Sequence, residues 1–148
     1  MAAQIGKIGC AMNKFFAKRV AGFTVIELMI VLIIVAILVA LAYPSYINYV
    51  RKAKRGEAQQ LLLNWSINQE IFRSNNPQYA TTAQLPAPSH DLYTFDVANL
   101  TGTTYTLQAT ATGDQANDKA KNGDYCGGNG QLLTLDQSGV KSPAACWE

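Results

Sequence analysis

The stretch Lys18-Arg19-Val20-Ala21-Gly22-Phe23-Thr24-Val25-Ile26-Glu27-Leu28, continued by an uncharged run to Tyr43, decides how this chain is read. Phe23 to Tyr43 makes about 31 Å of helix at ~1.5 Å per residue, the thickness of a bilayer core. Glu27 is the single charge inside it. An acidic residue at that depth costs about 3 kcal/mol, whereas each aliphatic neighbour contributes roughly 0.3 to 0.6 kcal/mol towards insertion, so the run enters a membrane despite the carboxylate. Glu27 lies close enough to the apolar edge to reach the headgroups. Buried deeper, it needs a cation, and this helix offers none within the bilayer; the partner then comes from another molecule.

Working outwards, Lys7, Lys14, Lys18 and Arg19 precede the run without an acidic neighbour, and Arg51, Lys52, Lys54 and Arg55 follow it. Equal basic flanks leave the orientation undecided. The cysteines break the tie. Cys10 falls in the basic leader, which leaves Cys126 and Cys146 as a pair near the C-terminus. A disulfide there needs an oxidising compartment, so the distal part faces away from the cytoplasm and the N-terminus stays inside. A conventional secretory signal fits poorly, because the run is too long and no small-x-small site follows it. A lipoprotein signal fails because Cys10 comes before the run.

Residues 18 to 50 resemble the processing region of type IV prepilins and related pseudopilins: a basic leader, Gly22, then Phe23-Thr24-Val25-Ile26-Glu27 before an apolar helix, with Pro44, Tyr46 and Tyr49 at its end. The resemblance implies that prepilin peptidase cuts between Gly22 and Phe23 and that the new amino terminus of Phe23 is N-methylated. It also supplies the missing cation, since the amine of Phe23 on one subunit would pair with Glu27 on its neighbour as the fibre assembles. A leader of 22 residues is long for this family; a start at Met12 shortens it, removes Cys10 and leaves the mature chain unchanged. The resemblance thus divides the chain into a cleaved leader (1–22), a transmembrane and assembly helix (23–43), an amphipathic helix (44–74) and a globular head (75–148) ending in a disulfide region.

The head reads as α+β: a long N-terminal helix packed on a small antiparallel sheet, the pilin fold. Ile47, Val50, Ala53, Ala58, Leu61, Trp65 and Phe72 recur at mostly helical spacing, carrying the helix to about Arg73 with a break or bend expected at Pro44. Asn75-Asn76-Pro77 ends it, and a Pro86 to Pro88 loop follows. Alternation at Leu92–Val97 and Thr104–Thr110 predicts a hairpin, and Gln131–Asp136 a further strand before the turn Gln137-Ser138-Gly139. Joining Cys126 to Cys146 closes about 20 residues and contributes on the order of 3 kcal/mol. Cys126-Gly127, Leu133-Thr134-Leu135 and Cys146-Trp147 are similar to a group of PilE-like minor pilins, with Trp147 expected to pack over the disulfide.

Charge weighs on partners. Of the 12 basic residues four lie in the leader, leaving eight against ten acidic ones. An acidic distal domain argues against general affinity for nucleic acid. Lys119 and Lys121 beside Tyr125 offer phosphate contacts, the pattern of a DNA-receptor pilin, but Asp114, Asp118 and Asp124 stand next to them. Those aspartates match no compact calcium loop and read as a solvated turn. His90, the one histidine, has only Asp91 for acidic company in sequence, which supports neither a metal site nor a catalytic triad. No cofactor and no enzymatic function are expected. The main reading is a structural, minor subunit of a type IV pilus supporting adhesion, twitching motility or DNA uptake. Its partners are other pilin subunits, prepilin peptidase, an inner-membrane assembly platform and the lipid bilayer before assembly, followed by an extracellular life in the fibre. The alternatives are a type II secretion pseudopilin and a DNA-receptor pilin.

Overall fold

The computed structural model describes residues 22–148. They belong to two units that divide between Leu38 and Val39. The expected leader (1–22), with Cys10 and the alternative start Met12, lies outside the described residues apart from Gly22.

One helix, α1, runs over Val25–Asn75. Thr24 caps it: its hydroxyl accepts the backbone N–H of Glu27 at 3.2 Å. Thr24 and Glu27 thus hold the Ncap and N3 positions of a capping-box pattern, with the Glu27 carboxylate in the first turn where the helix dipole favours a negative charge. The local fold therefore gives Glu27 a role that the hydropathy reading missed. The expected break at Pro44 is corrected, for the helix continues through it and through Gly56 without interruption. Proline deletes one donor, but the flanking turns keep theirs and carry the helix past it. At the far end the Asn75 and Asn76 side chains donate to the carbonyls of Ile71 and Phe72, and Arg73 donates to Asn76 O. Those bonds satisfy carbonyls that a helix end leaves unpaired.

Up to Leu38 every residue of α1 is exposed. In the second unit α1 buries one face, made of Arg55, Ala58, Leu62, Trp65 and Gln69. The sequence stripe placed Leu61 and Ala53 there; Leu62 is the buried residue and Ala53 is exposed. The error has a cause. An apolar periodicity skips Arg55 and Gln69, which are both buried, and so loses the phase of the stripe by one position.

That face covers an antiparallel sheet of four strands in sequential order, β1 (Tyr93–Ala98), β2 (Thr106–Ala111), β3 (Leu133–Asp136) and β4 (Lys141–Ser142). The first three fall on the expected runs, while β4 is too short to show an alternation. Leu107, Ala109 and Ala111 point into the core from β2, and Leu107 pairs with Leu135 and Ala109 with Leu133 on β3. The loop after α1 is clamped by Gln69, whose side chain takes the Ala80 N–H at 2.9 Å and donates to the Ala80 carbonyl at 3.0 Å. Cys126 and Cys146 form the expected disulfide, both fully buried, and Gln59 on α1 donates to the Cys146 carbonyl at 2.7 Å. Trp147 packs against the core and donates its indole N–H to Ser142 O at 3.4 Å.

Candidate functional site

Between β2 and β3 the chain makes a 3₁₀ turn, Gly113–Asn117, and then a short ribbon. Asp114 and Asp118 stand four residues apart there, opposite Arg51 and Arg55, four apart on α1. Arg51 Nη2 lies 2.7 and 2.9 Å from the two Asp114 oxygens and Nε lies 3.1 Å from Oδ2, a forked pair. Arg55 Nη1 lies 2.8 Å from Asp118 Oδ2, with side chains only 5% and 4% exposed. Gln115, also buried, donates to the Arg51 carbonyl at 2.9 Å and to the Tyr93 hydroxyl at 3.0 Å. Arg51 holds the Asp114 carboxyl below its ordinary value. Burial pushes Asp118 up, against the opposing pull of Arg55.

Beyond Asp118 the ribbon pairs Lys119 with Tyr125, Ala120 N–H bonds Asp124 O at 2.8 Å, and Gly123 N–H bonds Ala120 O at 3.0 Å. Gly123 closes the turn at φ +92°, where a side chain is disfavoured. Further along, the chain passes so close to Ala116 that any side chain at Gly128 would run into the Ala116 backbone. Lys119 Nζ sits 4.4 Å from the centre of the Tyr125 ring, a cation–π contact.

The tip of this ribbon and the nearest turns of α1 line a groove that includes Asn48, Tyr49, Lys52, Asn117, Lys119 and Lys121, together with Asp118, whose carboxylate is paired with Arg55. Among the described residues Arg51, Lys54 and Arg55 are in ion pairs, whereas Lys52, Lys119 and Lys121 are in none. The charge reading from sequence is corrected here. Asp114 and Asp118, counted against Lys119 and Lys121, are neutralised by arginines from the helix, and Asp118 is no solvated turn residue. Of the three aspartates only Asp124 remains without an arginine, and it accepts a bond from the Asn122 amide at 2.7 Å.

The other sequence candidates lie elsewhere. His90 Nε2 is 3.2 Å from Glu57 Oε2, a carboxylate 33 residues away that the sequence did not associate with it. Its Nδ1 accepts the Leu92 N–H at 3.0 Å, so both ring nitrogens are occupied. Glu57 is held below its ordinary value by Lys54 first and by His90 second. Phe23 and Glu27 are exposed at the start of α1.

Residues 44–129, which contain the whole groove, match the family described as "Type IV minor pilin ComP, DNA uptake sequence receptor". Residues 17–43 match the prokaryotic N-terminal methylation motif. The chain is 33% identical over 108 residues, 68% of its length, to the type IV major pilin protein PilE1 of Neisseria gonorrhoeae, of which this covers 48%. It is 40% identical over 68 residues, 46% of its length, to the type IV major pilin protein PilA of Myxococcus xanthus, covering 31% of that protein. A stretch covering 51% of the chain is 28% identical to half of the type II secretion system core protein G of Pectobacterium carotovorum. The chain therefore spans about half or less of the curated relatives it matches. A solved type IV pilin from Shewanella oneidensis superposes with a TM-score of 0.52 at 28% identity, over 66% of this chain and 98% of that one. Helix, meander sheet, methylation motif and family match together make this chain a member of the ComP family of type IV minor pilins, a family of structural subunits and not of enzymes.

Proposed function

We propose that this chain is a minor pilus subunit that captures DNA in the groove between α1 and the 118–126 ribbon. The observation that carries this is the convergence of Lys52, Lys119 and Lys121, none in an ion pair, on one groove inside the region matched by a family described as DNA uptake sequence receptors. Lysines placed this way meet phosphates and set affinity, while Asn48, Asn117 and Tyr49 offer hydrogen bonds and a ring to what lies between. This favours the DNA-receptor alternative over a purely structural role.

The leader would be removed between Gly22 and Phe23 on the cytoplasmic side of the inner membrane and Phe23 methylated. Glu27 would then pair with the amine of a neighbouring Phe23, and the subunit would pass from the inner membrane into an extracellular fibre. Three phosphate contacts give a salt slope of about −2.7, so duplex affinity falls roughly 40-fold between 50 and 200 mM salt. Replacing both Lys119 and Lys121 by glutamine should reduce the slope to about −0.9. Titrating a duplex at several salt concentrations decides the matter; binding that ignores salt or both lysines would sink it. Intact mass of the protein from sheared fibres checks processing, with methylated Phe23 as the expected terminus. A processed chain confined to the membrane would instead favour a secretion pseudopilin, the reading supported by the likeness to core protein G.

A further inference from the structure

The groove lies close to the end of the apolar run, and this has a consequence independent of DNA. The run ends at Tyr43, and Tyr43, Tyr46 and Tyr49 on consecutive turns are all more than 60% exposed. Such rings settle at the headgroup level of a bilayer. Asn48 and Lys52 follow Tyr43 by five and nine residues, about 8 and 14 Å along a helix. The headgroup layer extends roughly 6 Å beyond the hydrocarbon core on each side, and a charged surface acts about 8 Å further at physiological salt. Lys52 therefore stands within the field of a membrane that holds the apolar run. The groove brings Lys119 and Lys121 alongside Lys52, and the Arg51–Asp114 and Arg55–Asp118 pairs cancel two of the nearby acids, leaving Asp124 against three lysines.

We infer that before assembly this groove docks on the bilayer, taking the phosphate headgroups of anionic phospholipids between Lys52, Lys119 and Lys121. Each lysine drawn down to an anionic surface multiplies affinity by at most about fivefold, so roughly 150-fold is the upper bound for the three together. The head is thereby oriented against the membrane, and a polyanion has no access to the groove until the subunit leaves the bilayer. If the groove also takes DNA, as proposed above, lipid and DNA exclude one another in time.

The test places the full chain in nanodiscs of phosphatidylcholine, with or without about 30% phosphatidylglycerol, and measures by mass spectrometry how fast an amine reagent labels each lysine. In anionic discs at about 0.05 M salt, labelling of Lys52, Lys119 and Lys121 should slow at least fivefold relative to neutral discs, and about 0.5 M salt should abolish the effect. Lys141, outside the groove, is the internal reference and should change little. Equal rates in both discs overturn the inference, as does equal slowing of Lys141, which would reflect the surface potential alone. Equal protection by inorganic phosphate in neutral discs also overturns it, because the groove would then be a free-anion site. A duplex added to neutral discs reports on the DNA reading alone, so either idea can fail without the other.

Discussion

Residues 25–38 and 55–69 of α1 share one secondary structure and differ in everything else. In the first stretch Ile34 is 51% exposed and so, in similar degree, are its apolar neighbours all round the helix; in the second Trp65 is 2% exposed on a single buried face. Helices apolar on every side need an apolar solvent, whereas a helix with one buried face is stabilised by the layer it covers. Two solvents are thus built into one element. Side-chain truncations in the two stretches should have separate readouts, and the following outcomes test that.

The largest contrast comes from Trp65→Ala against Ile34→Ala. Truncating Trp65 should cost the head about 3 to 5 kcal/mol by transfer and cavity terms, while the Ile34 change leaves head unfolding within about 0.5 kcal/mol. Denaturant unfolding of the full chain in detergent, followed by near-ultraviolet dichroism, measures both. Equal losses would mean that the two stretches share one core.

Arg55→Ala leaves the buried Asp118 carboxyl without its partner, at a cost of about 3 kcal/mol, and replacing the pair together by Met and Leu should recover most of it. The same unfolding assay applies. Removing the disulfide by Cys126→Ser with Cys146→Ser should cost about 3 kcal/mol or somewhat less, read as the difference between variant and parent.

Alkaline titration gives a smaller and slower effect. Burial raises Tyr93 to about 12 and raises Tyr105 as well, against an ordinary value near 10. A raised folded value means that the neutral phenol is favoured in the fold. The contribution is therefore complete below about pH 10, where the unfolded phenols are neutral too, and is lost as pH rises through about 12. Phenolate absorbance should show a late-ionising class that appears together with unfolding. Ionisation of every tyrosine with the head still folded would contradict the burial of these two.

Much of the candidate site was visible in sequence, but its sign was not. Lys119, Lys121 and Tyr125 stand within seven residues, beside their acidic neighbours. In sequence Lys52 belongs only to the basic cluster that follows the apolar run. The two ion pairs that change the balance each join residues 63 apart, Arg51 with Asp114 and Arg55 with Asp118. No local count of charge finds such pairs. The matching four-residue spacing on helix and loop is the one signal that pointed to them, and it acquires meaning only when the two elements lie side by side. His90 and Glu57 were missed for the same reason.

By itself the sequence determined the apolar run, the first three strands and the cysteine pairing, because each depends on contiguous composition, on short periods or on the count of one residue type. Tertiary structure decided which helix face is buried, how Pro44 is accommodated, and which charges remain unpaired. Those outcomes depend on what packs against what: burying Arg55 beside Asp118 and tying Arg51 to Asp114 leaves Lys52, Lys119 and Lys121 as the groove's unneutralised charge.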